Sequence, residues 1–181
     1  MKNILLAWVV VLTAVYGVRA QEGFSVGAFI GLPMADGSDF ATFSLGVDAT
    51  YQFAIGEKFS AGPALGFSHS FGETRTYYGV DLDYDDVQFV PIAGAGRFYI
   101  NEMFTVGLDL GYAVGINDGN DGGVYYRPMF GYNINEKIQL NASYRGVRSS
   151  YDDVYYNSYG YYSRSVNWNF GILSVGAMFS F

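Results

Sequence analysis

Period-two alternation constrains this chain more than any other feature of its sequence. Over residues 43–53, Phe43, Leu45, Val47, Ala49, Tyr51 and Phe53 fall on one side of an extended strand, and Ser44, Gly46, Asp48, Thr50 and Gln52 on the other. Over 104–116 the pattern repeats, with Phe104, Val106, Leu108, Leu110, Tyr112, Val114 and Ile116 opposed to Thr105, Gly107, Asp109, Gly111, Ala113 and Gly115. Similar alternation runs through 24–32, 59–71, 124–134 and 138–146, and a last strand covers about 166–181. Beyond the first twenty residues no stretch sustains a helical period or an apolar run long enough to span a bilayer as a helix.

Two strands need their faces assigned. Residues 87–100 are apolar on both sides around Pro91, Ala93 and Ala95; placing Val90, Ile92, Phe98 and Ile100 outward turns Arg97 inward. That choice follows because an Arg facing lipid at mid-depth costs about 2–4 kcal/mol. In the last strand Trp168 and Phe170 are out of phase with Phe179 and Phe181, and a bulge near Gly171 is expected to restore the phase. The connections alternate in length. Gly56-Glu57-Lys58, Asn101-Glu102-Met103 and Asn135-Glu136-Lys137 are tight turns, whereas 33–41, 72–86, 117–123 and 147–165 are longer segments. The fold class expected is all-β: eight antiparallel transmembrane strands closed into a barrel, with short periplasmic turns and longer extracellular loops.

Residues 1–20 read as a secretory signal: Lys2 supplies the positive start, an apolar stretch follows, and Val18-Arg19-Ala20 offers a small-residue cleavage site. The barrel domain is accordingly expected over 21–181. There are no cysteines, hence no disulfide framework and no thiolate metal site. Lys2 and Arg19 leave with the leader, so eight of the ten basic residues remain against 17 acidic ones. This balance excludes nucleic acid as a partner, since phosphate binding requires clustered Lys and Arg. Aromatics at 19 % exclude disorder.

A secreted soluble barrel would also alternate, but it would turn large apolar side chains inward and charges outward. Here the face opposite the apolar one is mostly Gly, Ser, Ala, Thr and Asn, a poor water-exposed surface and a good filling for a narrow lumen. Aromatics cluster at both strand ends: Tyr51, Phe53, Phe59, Tyr99 and Phe104 by the tight turns, and Phe71, Tyr125, Tyr126, Tyr144 and Trp168 towards the long loops. Two such clusters are read as interfacial girdles.

The signal sequence, eight amphipathic strands, Asn/Gly-Glu-Lys-type turns and the Phe-Ser-Phe at 179–181 together resemble the small OmpA/OmpX-like outer-membrane β-barrel family. The resemblance implies a bacterial outer-membrane location, with outer-membrane lipid and lipopolysaccharide as surroundings. It also implies that Phe179 and Phe181 form the signal presented to the barrel-assembly machinery. It covers residues 21–181 and implies no further peptidoglycan-binding domain.

Four groups of residues are candidates for function. Asp48, Arg97, Asp109, Arg127 and Arg145 point inward and are expected to form a salt-bridged plug, since buried charges are normally paired; a gated ion path is the alternative. Tyr151, Tyr155, Tyr156, Tyr159, Tyr161 and Tyr162 stand among Ser, Asn and Gly, a mixture that resembles recognition surfaces. Asp81, Asp83 and Asp85, and the Asn-Asp-Gly-Asn-Asp-Gly run at 117–122, could ligate Ca²⁺ through oxygen, but lack full EF-hand spacing, so solvated acidic loops are the expected state. His69 is the single histidine, near the outer end of its strand, with Phe67 and Phe71 on its own face and Ser68 and Ser70 opposite. A lipid hydrolase or acyltransferase would need a His-centred polar group there. The sequence thus points to a monomeric, non-enzymatic, cofactor-free barrel with a structural or adhesin-like role through its loops, serving an extracellular ligand. A narrow channel for small solutes is the alternative, and a lipid-modifying enzyme the third reading.

Overall fold

The computed structural model describes residues 22–77, 80–157 and 160–181, without the side chains of 75, 77, 80, 151–157 and 160–166. The expected leader 1–20 and Tyr159 lie outside the described residues. The alternating segments form β1 (Gly23–Ala35), β2 (Ala41–Ala54), β3 (Phe59–Gly72), β6 (Val87–Tyr99), β7 (Phe104–Gly115), β8 (Gly123–Asn133), β9 (Ile138–Asn157) and β10 (Gly160–Ser180). Every pairing is antiparallel, and pairing of β1 with β10, from Ser25 opposite Ser180 to Ala35 opposite Phe170, closes the sheet into a barrel of these eight strands. A closed sheet leaves no unpaired edge in lipid, the condition for crossing a bilayer with strands.

The faces follow the alternation. Ile30 and Leu32, Leu45 and Val47, Leu65, Ile92, Leu110, Val124, Leu140, and Leu173 and Val175 are exposed, so each of the eight strands contributes to one outward apolar belt. Ser44, Asp48, Thr50, Ser60, Thr105, Asp109, Arg127, Ser143, Arg145 and Ser174 are buried inside. An apolar exterior around a polar interior is the inverse of a water-soluble barrel and requires lipid as its solvent. Val90, Ile92, Phe98 and Ile100 face away from buried Arg97, as assigned from sequence. Leu110→Arg, placing a charge at mid-belt, is expected to cost about 2–4 kcal/mol in urea unfolding within bilayers.

Two of the three tight turns share one piece of chemistry. Asn101 Oδ1 accepts the backbone N–H of Met103 at 2.9 Å and of Phe104 at 2.7 Å; Asn135 Oδ1 does the same for Lys137 and Ile138, both at 2.9 Å. An Asn side chain in this role mimics a backbone turn, which explains the recurring Asn at these corners.

The long-loop end departs from expectation in three places. The segment 72–86 contains a hairpin of its own, β4 (Thr74–Tyr77) paired with β5 (Val80–Asp83). The segment 147–165 is strand rather than loop: β9 and β10 stay in register from Ile138–Phe179 to Asn157–Gly160, beyond the last pairs either makes with β8 or β1. No bulge occurs near Gly171; the register is continuous, and Trp168, Phe170 and Ile172 turn into the barrel. Among the described residues the register shift lies instead between Ala41 and Phe43, where β2 meets β3.

The girdles also change membership. Tyr51 and Phe53 pack at 4.8 Å and Phe104 and Tyr132 at 5.6 Å by the tight turns, while Phe43 and Phe71 stack at 6.4 Å and Tyr126 and Tyr144 at 6.0 Å towards the long loops. Tyr99, Tyr125 and Trp168 are not part of them. Tyr99 and Tyr125 are buried in the lumen, and Trp168 packs on the interior cluster.

Candidate functional site

The lumen is stratified along its axis. At mid-depth the five charges singled out from sequence form one connected network. Arg145 grips Asp48 with two parallel bonds, Nη1 to Oδ1 at 2.9 Å and Nη2 to Oδ2 at 2.7 Å. Arg127 Nη1 reaches the same carboxylate at 2.9 Å, and its Nε lies 3.0 Å from Asp109 Oδ2 as an ion pair without hydrogen-bond alignment. Arg97 Nη1 donates to Asp109 Oδ1 and to the carbonyl of Gly96. Four strands besides β2 are thus tied across the barrel interior, from positions that alternation alone turns inward. The planar guanidinium suits this task because its fixed fork can serve two carboxylates at once.

Small residues make the network fit. A Cβ on Gly107 would stand 2.7 Å from Arg97 Cδ and 2.8 Å from Met129 Cγ, so the Arg97 side chain lies where any larger residue would have to be. Gly46 leaves space for the ring of Phe29, which a Cβ there would meet at 2.5 Å. Phe29 in turn carries the Arg145 guanidinium, whose Cζ is 3.4 Å from the ring centroid. Sequence reasoning missed Phe29, although its parity with Ser25, Gly27 and Gly31 turns it inward.

Above this layer, towards the long loops, lies an apolar plug. Val87, Phe89, Ala113, Tyr125, Val147, Phe170 and Ile172 form one buried cluster, with Phe40 and Trp168 packed on it. Phe170 is 0 % exposed and meets Phe89 at 5.5 Å, Trp168 at 5.5 Å and Phe40 at 5.9 Å between ring centroids. A short 3-10 turn, Asp36–Asp39, folds over this end, held by Asp36 Oδ2 accepting the N–H of Asn169 at 2.8 Å. Between plug and charges the free space is only about 10 Å³, roughly one water. On the tight-turn side, below the charges, a vestibule of about 250 Å³ opens outward.

The remaining candidates are placed as follows. Phe181 stacks on Phe24 at 6.1 Å and meets Phe179 edge-on at 5.1 Å, at the tight-turn rim. Asp81 and Asp83 are taken up by the β4–β5 hairpin, accepting from Thr76 Oγ1 at 2.6 Å and Thr74 Oγ1 at 2.7 Å, and Asp85 is exposed. Among the described residues no group of three or more acidic or histidine side chains could hold a metal ion, so the calcium candidate Asp81, Asp83, Asp85 is not assembled. In the 117–122 run the Asn side chains are engaged by the fold: Asn117 Oδ1 accepts the N–H of Gln88 at 2.9 Å, and Asn120 donates to the carbonyl of Gln88 at 2.8 Å. His69 has both ring nitrogens occupied, Nδ1 by the amide of Gln88 at 3.0 Å and Nε2 by Asp86 at 3.3 Å. Ser68 and Ser70 are buried on the opposite face, and Ser70 is bonded to Ser44 at 2.6 Å. For the Tyr group the structure gives backbone register alone: Tyr151 opposite Val166, Tyr155 opposite Tyr162 and Tyr156 opposite Tyr161.

No protein-family model and no curated protein matches the chain. Solved structures do. Ail, the attachment invasion locus protein of Yersinia pestis, is 17 % identical, covering 89 % of this chain and 100 % of its own at a TM-score of 0.51. Ail in complex with the heparin analogue sucrose octasulfate gives 14 % identity, coverages of 91 % and 100 %, and a TM-score of 0.52. A barrel from the de novo design of transmembrane beta-barrels, 11 % identical, covers 91 % and 100 % at a TM-score of 0.52. At these identities the likeness is one of fold, and at that level the OmpA/OmpX-like resemblance is borne out. The chain is a small outer-membrane β-barrel by fold, eight strands closed in lipid around a filled lumen.

Proposed function

We propose that this barrel is a non-catalytic surface-interaction module, anchored by its belt and presenting the tip of β9 and β10 to an external partner. The observation that carries this reading is the arm itself. From Ser150–Asn167 to Asn157–Gly160 the two strands make eight successive pairs with each other and with no other described strand. At ~3.4 Å per residue such a ribbon is about 27 Å long. Its composition, Tyr among Ser and Asn, suits a recognition surface, and a ribbon whose backbone pairs with no other described strand offers edges to an extended segment of a partner.

The filled lumen supports the same reading, with only about 10 Å³ of free space between the apolar plug and the charges. His69 supports it too: a general base needs a free nitrogen towards its nucleophile, and neither is free here. Charge narrows the partner. The outer mouth is lined by Asp36, Asp39, Asp85, Asp86, Asp118 and Asp121. Ail has been solved with a sulfated heparin analogue, whereas this acidic rim selects a neutral or cationic partner over a polyanion.

The test is to replace residues 150–167 by a two-residue turn in cells displaying the barrel. Adhesion to the recognised surface should fall to background while the unboiled protein still migrates as a compact barrel. Undiminished adhesion by a folded, armless barrel would refute the reading and leave a purely structural role.

A further inference from the structure

We propose that the tight-turn vestibule is a binding site for a small oxyanion, a carboxylate or phosphate group, held between Arg127 and Gln52. The argument begins with charge balance in the lumen. Among the described residues the buried charged side chains are Arg97, Arg127, Arg145, Asp48 and Asp109, three cations against two anions. Arg145 and Asp48 form a complete bidentate pair, and Arg97 serves Asp109. Arg127, 2 % exposed, bridges two carboxylates that are each already held by another Arg, so one positive charge is left in excess. An isolated buried charge is unfavourable and draws a counter-ion where one can enter.

The vestibule provides the entry. It is lined by Arg97, Arg127, Gln52 and Met129 at its inner end. Two donors there lack good acceptors. Arg127 Nη2 is directed at the thioether of Met129, 3.6 Å away, a weak acceptor. Gln52, 6 % exposed, has its Oε1 taken by Ser60 at 2.9 Å and its Nε2 without any partner. Arg127 and Gln52 both line this cavity of about 250 Å³, and a guanidinium with an unpaired amide N–H is a donor set for an oxyanion such as phosphate or acetate. Glu22, Glu136 and Lys137 stand at the mouth. These rim residues are exposed, so their field on the inner end is damped by water and salt with a screening length of about 8 Å.

The experiment uses the full chain refolded in a maltoside detergent, which carries no phosphate, so that any response belongs to the added ion and not to a lipid headgroup. Unfolding is followed by the heat-dependent gel shift in sodium phosphate, sodium acetate and sodium chloride at matched ionic strength. An oxyanion held about tenfold above its Kd should raise the midpoint by about 3–6 °C over chloride, and the stronger of the two arms identifies the preferred group. Met129→Glu places a carboxylate beside Arg127 Nη2 and should abolish the response. Gln52→Met, which removes the free amide and keeps the shape, should weaken it. Equal midpoints in all three salts, or an undiminished response in both variants, would overturn the proposal.

Discussion

Asp109→Asn should lower the unfolding free energy of the barrel by about 3–5 kcal/mol, while Arg127→Met, which removes the central residue of the same network, should cost far less. The two changes each delete one charge and differ in what they leave behind. Asp109 is 1 % exposed and is the carboxylate that Arg97 holds and Arg127 approaches. Its loss leaves three buried guanidiniums facing Asp48 alone, two of them uncompensated. Loss of Arg127 leaves Arg97 with Asp109 and Arg145 with Asp48, two intact pairs and no net charge. Met fills most of the vacated volume next to Met129 and Tyr125. Urea titrations in lipid bilayers, followed by tryptophan fluorescence, measure both, with equal slopes required so that midpoints can be compared. The opposite ranking would mean that the excess positive charge does not reside at Arg127, and would remove the basis of the oxyanion site as well.

The sequence made the lipid-facing half of this fold legible because lipid imposes one rule on it. Every outward position in the belt must be apolar, so parity assigned the faces of β2 and β7 directly and the cost of an outward Arg settled β6. The same rule is silent about the inside. A lumen accepts Gly, Ser, Arg or Phe as long as the volume is filled, so an aromatic residue carries no information about its side by itself. Residue type places Trp168 in the girdle against its parity with Ser174, and turning it and Phe170 outward requires a bulge near Gly171 that the continuous register does not contain. Tyr99 and Tyr125 failed for the same reason, whereas Phe29 needed only its parity to be read. The arm escaped notice for a different one. A ribbon standing clear of the bilayer has water on both faces, so the alternation that marks a strand in lipid disappears from 150–167 and only composition remains. The charged residues were legible as a group, since five inward charges in one lumen must pair, but which Arg serves which Asp depends on strand register and tilt, which single-chain patterning does not contain.

Phe170→Ala should be the most costly change in the apolar plug, at about 3–5 kcal/mol, the range for emptying a fully buried Phe site. Phe170 is 0 % exposed, and its ring is wedged between Phe89, Trp168 and Phe40 below the Asp36–Asp39 turn, whose Gly37 approaches so closely that a Cβ there would meet the ring at 2.8 Å. Phe89 and Trp168 belong to strands held by their pairing, and Phe40 directly precedes β2, so the neighbours can collapse into the cavity only slightly, and the loss should lie towards the upper end of the range. The variant also separates two roles of the plug. Below it the Arg127 layer still spans the lumen, with only about 10 Å³ between the two. Planar-bilayer recordings of Phe170→Ala should therefore remain silent like the parent barrel, despite the large drop in stability read from urea unfolding. Steady conductance in the single variant would show that the aromatic layer alone closes the lumen and that the salt-bridged layer is permeable. Conductance in the parent barrel would show that neither layer seals it. Silence together with a large stability loss would assign the plug to holding the barrel and its outer turn together, and leave closure of the lumen to the charges beneath.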